Sequence, residues 1–572
     1  MEKIIKLRNY LKIFNLDGYI IPKNDEFFNE YTSSNKDRLN YISNFSGSFG
    51  LALILKKKNY LFVDGRYTLQ AKIQSGANFK VITIPSKYPS DLFKGKKYLI
   101  GYDPKLHTNK MLDIFFKKTS FKLVPIKDNL VDKIWVKANT ISLKKYYVLP
   151  KKEVGQSNKS KIKRLSKILK KKGVDYHFVT SSENIAWLLN IRGWDSKYSP
   201  VPNAYLIIGS NKDIHLFCNL KKIDVQFKRA LKGVRISKIE DADFFLKDFK
   251  HKKISLDSAT CSVYFENIIK LNNKLISYSD PIYLMKSVKT KTEIKNTIKC
   301  HIYDGVALTK FLFWVKKNFK NKKINEISAE EKLLKFRKKN KNFKFPSFPT
   351  ISGAGPNGAI IHYKASQKSN RRLEKGDIYL VDSGGQYNYG TTDVTRTISL
   401  DNNSQRIKNI FTKVLQGHIA VASFKLKKNT TGAEVDAVAR KPLLEMNLDY
   451  AHGTGHGVGY FLNVHEGPHA ISKKNKIYFE EGVIVSNEPG YYETNKFGIR
   501  IENLVRVKKT RAGYFFDNLT MAPIDKSLIN KKMLRQNEIQ WLNEYHSVVY
   551  KNLKKFMNKS ELNYLKESCS NI

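Results

Sequence analysis

Hydrophobic positions change their period repeatedly along the chain. Residues 4–14 place apolar side chains at helical spacing, and 18–22 form a short continuous apolar run of the kind found in buried strands. A second helical signal at 38–42 precedes strand-like runs at 51–55 and 60–63, the latter closing on Asp64-Gly65-Arg66. This alternation predicts an α/β domain over 1–137, with 129–137 as its exit. The pattern then starts again: a basic amphipathic helix at 161–172, a strand at 174–180 and a helix at 184–189. The stretch from Asn40 through Tyr41, Ile42 and Asn44 to Gly47 has a counterpart from Ile185 through Trp187, Leu188 and Asn190 to Gly193. Two related α/β domains, 1–137 and 155–285, account for this better at such a length than one large irregular domain.

From residue 290 the character changes. Helices are expected over 290–317 and 327–338, then at 405–424 and 432–446, with strand and glycine stretches between and after them. These elements make up a domain over 290–510. An extension over 511–572 carries Met521-Ala522-Pro523-Ile524-Asp525 and a helix containing Trp541 and Tyr545, and residues 557–572 are expected to fray. The expected class is therefore multidomain: two α/β domains followed by an α+β one.

The candidate chemistry lies in 378–502. Asp382 ends the apolar run Ile378-Tyr379-Leu380-Val381, and Asp393 opens Val394-Thr395-Arg396-Thr397-Ile398, with Gly384, Gly385, Asn388 and Gly390 as turn formers between them. The design recurs with Glu488, after Val483-Ile484-Val485-Ser486-Asn487, and Glu502, within a strand expected over 499–505. Between the two lies His452-Gly453-Thr454-Gly455-His456-Gly457-Val458-Gly459, too glycine-rich for a regular helix. Carboxylates on apolar strands are costly to bury unless paired or bound to a cation, and four converging would repel one another. Metal ions resolve that conflict. Asp382, Asp393, His456, Glu488 and Glu502 offer oxygen donors, one imidazole and no thiolate, a set that suits two divalent ions such as Mn²⁺, with Zn²⁺ or Co²⁺ as alternatives. Arg500, two residues before Glu502 and expected on the same strand face, is placed to orient a metal-binding carboxylate.

These segments resemble those of aminopeptidase P, the Xaa-Pro aminopeptidase family. The match rests on Val381-Asp382-Ser383-Gly384, Thr391-Thr392-Asp393-Val394-Thr395-Arg396-Thr397, the His452–Gly459 stretch, Ser486-Asn487-Glu488-Pro489-Gly490 and Gly498-Ile499-Arg500-Ile501-Glu502-Asn503. The resemblance runs through nearly the whole chain. It implies a pita-bread catalytic domain, and the N-terminal duplication and the tail fit the long three-domain type rather than methionine aminopeptidase. It implies two metal ions and peptide substrates with proline at the second position. Asp382 and Asp393 would hold one ion and His456 and Glu488 the other, with Asp393 and Glu502 bridging; Glu488 would be the general base. By the same resemblance His362, in Ala359-Ile360-Ile361-His362-Tyr363, contacts substrate beside the scissile bond. His452 and His465 line the site, and Arg66 reaches toward substrate. Relatives are commonly homodimers. Two other readings remain: a prolidase confined to dipeptides, and a non-catalytic binding module on the same fold, against which stands the retention of all five ligand positions.

Composition narrows the remaining classes. The 572 residues carry a formal net charge of +52, mostly as dispersed lysine without a zinc finger, an aromatic RNA-binding signature or an arginine stripe, so nucleic acid is not expected as a partner. No apolar run reaches bilayer-spanning length and the N-terminus lacks an apolar leader, so no membrane association is expected. The scattered Cys218, Cys261, Cys300 and Cys569 suggest no disulfide framework and fit a reducing cytoplasm. His465-Glu466-Gly467-Pro468-His469 spells the His-Glu-x-x-His signature of zinc proteases, but that motif needs a helix, which Gly467 and Pro468 oppose. No nucleophile elbow or phosphate loop is present.

Overall fold

The first apolar runs fold into a six-stranded mixed sheet: β1 (Gly18–Pro22), β2 (Leu51–Leu55), β3 (Asn59–Asp64), β4 (Lys80–Ile84), β5 (Leu99–Tyr102) and β6 (Lys122–Pro125), in spatial order β4-β3-β2-β1-β5-β6. The structure is a computed structural model describing residues 2–137, 143–320 and 323–572. On one face of the sheet, Ile4, Leu7 and Leu11 of helix α1 (Glu2–Ile13) pack against Tyr19 and Ile21; on the other, Ile20, Leu51 and Leu53 join a second core with Phe115 and Phe116. Burial of both faces explains why these strands read as continuous apolar runs rather than alternating ones.

A second sheet repeats the first. After helix α2 (Asn158–Lys171) come β7 (Tyr176–Val179), β8 (Ala204–Gly209), β9 (Ile214–Cys218), β10 (Arg235–Lys238), β11 (Lys253–Leu256) and β12 (Lys274–Ser277), ordered β10-β9-β8-β7-β11-β12. Each strand has the same neighbours, in the same parallel or antiparallel sense, as its counterpart in the first sheet. The sequence echo has a local cause as well. Helices Arg38–Ser43 and Ser182–Leu189 both end on an asparagine in the left-handed conformation, Asn44 (φ 60°) and Asn190 (φ 59°), a conformation asparagine tolerates better than most residues.

Both sheets lie in one compact unit, Met1–Lys151 with Gln156–Tyr283; Lys152–Gly155 and Leu284–Ile572 form another. The second unit opens with α3 (Lys291–Asn318), capped by Thr290 and Glu293 in a reciprocal box, and α4 (Glu326–Lys338). A three-stranded sheet, β13 (Ile351–Ala354), β14 (Ile378–Ser383) and β15 (Val394–Ser399), follows in the order β13-β14-β15. Helices α5 (Gln405–Ala422) and α6 (Gly432–Leu444) flank β16 (Lys425–Leu426), which joins a six-stranded sheet with β17 (Gly455–Gly457), β18 (Glu466–Ile471), β19 (Ile484–Asn487), β22 (Asn503–Thr510) and β23 (Gly513–Asn518), ordered β16-β23-β22-β19-β17-β18. The hairpin of β20 (Gly490–Glu493) and β21 (Phe497–Arg500) connects β19 to β22. Among the described residues no helix is long and apolar enough to cross a membrane.

Two expectations need correction. The strand expected across 499–505 is broken: β21 ends at Arg500, β22 starts at Asn503, and Ile501-Glu502 leave the pairing between them. The chain's end does not fray. Helix α8 (Lys559–Ser568), capped by Asn558 and Glu561, follows α7 (Gln536–Leu553) and buries Leu565 and Cys569 in the core built on Ile410, Phe411, Val414 and Leu542. Leu565 is 0% exposed. Replacing it with alanine is expected to destabilise the second unit by about 3 kcal/mol; a thermal unfolding curve coincident with that of the parent chain would refute this packing role.

Candidate metal centre

The site is assembled where strands stop pairing. Register places Asp382 opposite Thr395 and Ser383 opposite Val394, so Asp382 and Asp393 emerge at one end of the β14–β15 hairpin. Gly384 permits the turn between them, since a Cβ there would lie 1.9 Å from the Thr392 carbonyl oxygen. Glu488 immediately follows β19, and Glu502 occupies the break between β21 and β22. His456 is the middle residue of β17, drawn against β19 so closely that a Cβ on Gly455 would lie 1.9 Å from the Ser486 carbonyl. The glycines of this stretch thus allow backbone contact as well as preventing a helix.

All five expected ligands converge. His456 Nε2 stands 3.5 Å from Asp393 Oδ2 and 3.4 Å from Glu488 Oε1. Asp393, His456 and Glu502 each bring one donor atom, all within 4.8 Å of one another. The His456 Nδ1–H donates to the Gly457 carbonyl at 2.9 Å, which leaves the Nε2 lone pair facing the acids. Thr395 Oγ1 donates to Glu502 Oε2 at 2.8 Å, and Ser486 Oγ to Glu488 Oε1 at 2.9 Å.

The electrostatics are unfavourable as the protein atoms stand. Burial, then the nearby Asp382 and Glu488 carboxylates, hold Asp393 well above the usual carboxylate range. Burial followed by Asp393, Asp382 and Glu488 does the same to Glu502. Asp382 Oδ1 is buried with no hydrogen-bond partner among the described residues, an arrangement that ordinarily costs the desolvation of that oxygen. A bare acceptor oxygen, an inward-facing imidazole nitrogen and acids raised by burial and then by mutual repulsion are the donor set that divalent cations complete. The residues present fit such ions.

Arg500 is a cation built into the cluster, and the acid it meets is Asp382. Its Nη2 donates to Asp382 Oδ2 at 2.6 Å, its Nε to Thr395 Oγ1 at 3.0 Å and its Nη1 to Tyr492 Oη at 2.6 Å. It therefore orients the Asp382 carboxylate, while Glu502, two residues on, is held by Thr395. Tyr492 was not anticipated; nothing in its local sequence separates it from Tyr491. Burial pushes its hydroxyl up to about 12. It lies 2.9 Å from His452 Nε2, while His452 Nδ1 donates to the Gly453 carbonyl at 2.7 Å.

The remaining expected residues divide. The His465 ring stacks edge-on against His456, with centroids 4.3 Å apart. His362 sits half-buried in the turn after the 3₁₀ segment Gly355–Ala359, which packs on β21 at the close approach of Gly358 and Gly498. Arg66 lies in the other unit, where it makes a two-pronged ion pair with Asp64 at 3.0 and 2.7 Å. Glu466–Ile471 is a strand, so His465 and His469 do not share a helical face; His469 Nε2 is 3.0 Å from the Tyr478 carbonyl.

Four acids and an imidazole gathered at strand ends of a pita-bread domain define a metallohydrolase-type centre. Comparison with known proteins specifies it. Residues 295–509 match the model of metallopeptidase family M24, and 513–572 that of the C-terminal region of peptidase M24; 3–133 and 138–293 each match a creatinase/prolidase N-terminal domain. The chain is 37% identical to a probable Xaa-Pro aminopeptidase P of Laccaria bicolor, covering 100% of this chain and 93% of that protein. It is 37% identical to Xaa-Pro aminopeptidase 1 of Dictyostelium discoideum, over 99% of this chain and 95% of the relative. The crystal structure of the Caenorhabditis elegans X-prolyl aminopeptidase, described as a cytosolic enzyme with a dinuclear active site, superposes with a TM-score of 0.94 at 30% identity, covering 100% of this chain and 99% of that one. The chain belongs to metallopeptidase family M24, within its Xaa-Pro aminopeptidase P group.

The raised acids give a signed prediction. Folded Asp393 and Glu502 hold protons more tightly than the unfolded chain does, so the metal-free protein loses stability as pH rises above the ordinary carboxylate range. The unfolding temperature of chelator-treated protein is expected to fall from about pH 5 to about pH 8, and added Mn²⁺ to restore it most at the upper end. Asp393→Asn should flatten the slope. A metal-free protein that gains stability over that window would refute the arrangement.

Proposed function

We propose that this protein is a dinuclear metal-dependent aminopeptidase that releases the residue preceding a proline at the start of a peptide. The observation that carries the reading is the convergence of Asp382, Asp393, His456, Glu488 and Glu502, with a bare Asp382 oxygen and Asp393 and Glu502 raised by burial and then by repulsion. Specificity for proline is supported by the full-length likeness to Xaa-Pro aminopeptidases. Asp382 and Asp393 would hold one ion and His456 and Glu488 the other, with Asp393 and Glu502 shared. Mn²⁺ is the proposed metal, since hard oxygen donors dominate and thiolates are absent. When bound, such a pair supplies Lewis-acid activation of a water for attack on the carbonyl before proline.

The chain's own groups then handle protons and position. Glu488 is the most exposed of the four acids, with 18% of its side chain accessible against 11% for Asp382 and 5% for Asp393, so its carboxylate is the one placed to take the attacking water's proton and release it. Arg500 fixes Asp382. His465, against His456, donates to the developing oxyanion, and His362 delivers a proton to the departing proline nitrogen. That nitrogen is tertiary and restricts the residue before it, which is why such bonds call for a dedicated enzyme.

We further propose the domain division 1–137, 155–285, 290–510 and 511–572, supported by the repeated sheet order and the matched segments. A cytoplasmic location is supported by four unpaired buried cysteines and by the cytosolic Caenorhabditis elegans relative.

With Mn²⁺, purified protein is expected to release alanine from Ala-Pro-Ala faster than from the dipeptide Ala-Pro; the reverse preference would make it a prolidase, and no release from either would favour a binding module. Glu488→Gln should lower kcat by about 10²–10⁴-fold while the unfolding temperature is retained.

A further inference from the structure

Some buried acids outside the centre pair with cations: Asp304 with Arg337, Asp436 with Arg440, and Glu466 with Lys286 and Lys289. Glu326 is held in another way. It is 0% exposed, in the first turn of α4, and no ion pair reaches it among the described residues. Its carboxylate is held by neutral donors: the Ala354 backbone N–H at 2.8 Å, Asn357 Nδ2 at 2.9 Å, the Tyr363 hydroxyl at 2.8 Å and the Arg371 backbone N–H at 2.9 Å.

Those donors share one origin. All lie in 354–371, the segment that leaves β13 and carries His362. Ala354 and Arg371 are its two ends. Asn357 and Tyr363 flank the histidine; Asn357 Nδ2 also donates to the Ser369 carbonyl at 2.9 Å, and the Tyr363 hydroxyl lies 2.9 Å from the same oxygen. The backbone closes the same circle, with Glu326 N–H donating to the Arg371 carbonyl at 3.0 Å, Leu373 N–H to the Ile324 carbonyl at 2.9 Å and Ser352 Oγ to the Glu326 carbonyl at 2.8 Å. A cation could have neutralised the acid from a single direction. Four fixed neutral donors instead make one carboxylate the hub from which the whole loop hangs, and the positive end of α4 stabilises its charge further. The neighbouring Gly355–Ala359 turn packs on β21, which leads to Arg500 and Glu502, so the hub also sets where the loop meets the metal centre.

We infer that Glu326 is a positioning residue for catalysis: through Asn357 and Tyr363 it fixes the loop that presents His362 to the scissile bond. The inference rests on the role proposed above for His362. Glutamine at 326 keeps the shape but turns its amide nitrogen toward a backbone N–H, that of Ala354 or of Arg371, which can only donate, so the loop must shift while the metal ligands stay in place. A displacement on the order of 1 Å at a catalytic group lowers rates by about a hundredfold.

The test is a double-mutant cycle in the full chain with saturating Mn²⁺ and Ala-Pro-Ala. Glu326→Gln should lower kcat by about ten- to a hundredfold with KM changed far less and with unaltered Mn²⁺ stoichiometry and affinity. His362→Ala should lower kcat comparably, and the double variant should be no slower than the slower single one. Tyr363→Phe, which removes one donor and leaves the acid, should give a smaller loss that likewise vanishes in the His362→Ala background; it serves where Glu326→Gln fails to fold. If His362→Ala keeps full activity, the role of His362 and the inference fall together. If His362→Ala is impaired but the losses multiply, or if Glu326→Gln loses Mn²⁺, the inference alone is overturned.

Discussion

Four carboxyl groups are held where they cannot move apart. Asp382 and Asp393 sit at the end of one hairpin, Glu488 at a strand terminus and Glu502 in a strand break, so each Cα is fixed by the pairing on one side of it. Side-chain rotation gives little relief, because Asp393 is 4% exposed and Glu502 2%. The frame therefore stores repulsion that only charge neutralisation removes, by protons in the free protein and by cations in the loaded one. The unfavourable charge contact is supported by the stability of the surrounding sheets.

Hydrogen bonds around the cluster keep this strained arrangement specific. Arg396, 1% exposed, donates from Nη1 to the Thr395 and Glu502 carbonyls at 2.8 and 2.7 Å, and so fixes the backbone at the break that carries Glu502. Its Nη2 reaches Asn503 Oδ1, the Ala522 carbonyl and the Tyr545 hydroxyl, each at 2.8 Å, and its Nε the Pro523 carbonyl at 3.0 Å. One guanidinium thus ties the extension beyond residue 511 to a metal-facing strand break. The order of α7 and α8 follows from that connection, since a segment whose tyrosine closes a buried network cannot leave without exposing it.

The sequence was legible where composition and geometry coincide. Gly18–Pro22 and Leu51–Leu55 are found at their observed bounds because apolar runs end abruptly at turn-forming or charged residues. The acids and His456 stand out because charged side chains interrupt such runs. The break at Ile501-Glu502 is invisible, since Ile499-Arg500-Ile501-Glu502 alternates as an unbroken strand would and only the change of pairing partner marks it. The final helix was hidden by a polar sequence with Leu565 and Cys569 as its main anchors, although Asn558 and Glu561 carry a capping box. Tyr492 and Glu326 gain their roles from partners outside their own elements, Arg500 on the paired strand and the distant His452 for one and 354–371 for the other, and no local pattern records that.

The two His-Gly pairs show how local and distant constraints meet. His452 and His456 each donate Nδ1–H to the carbonyl of the glycine that follows, Gly453 and Gly457, at 2.7 and 2.9 Å. The consequence is chemical. Both imidazoles donate through Nδ1 and turn Nε2 inward, where His456 faces Asp393 and Glu488 and His452 meets the Tyr492 hydroxyl. In the neutral ring Nε2 is then the acceptor nitrogen, which is the one a metal-binding imidazole must offer. The backbone path of the His452–Gly459 stretch thereby decides which nitrogen of each ring faces the site.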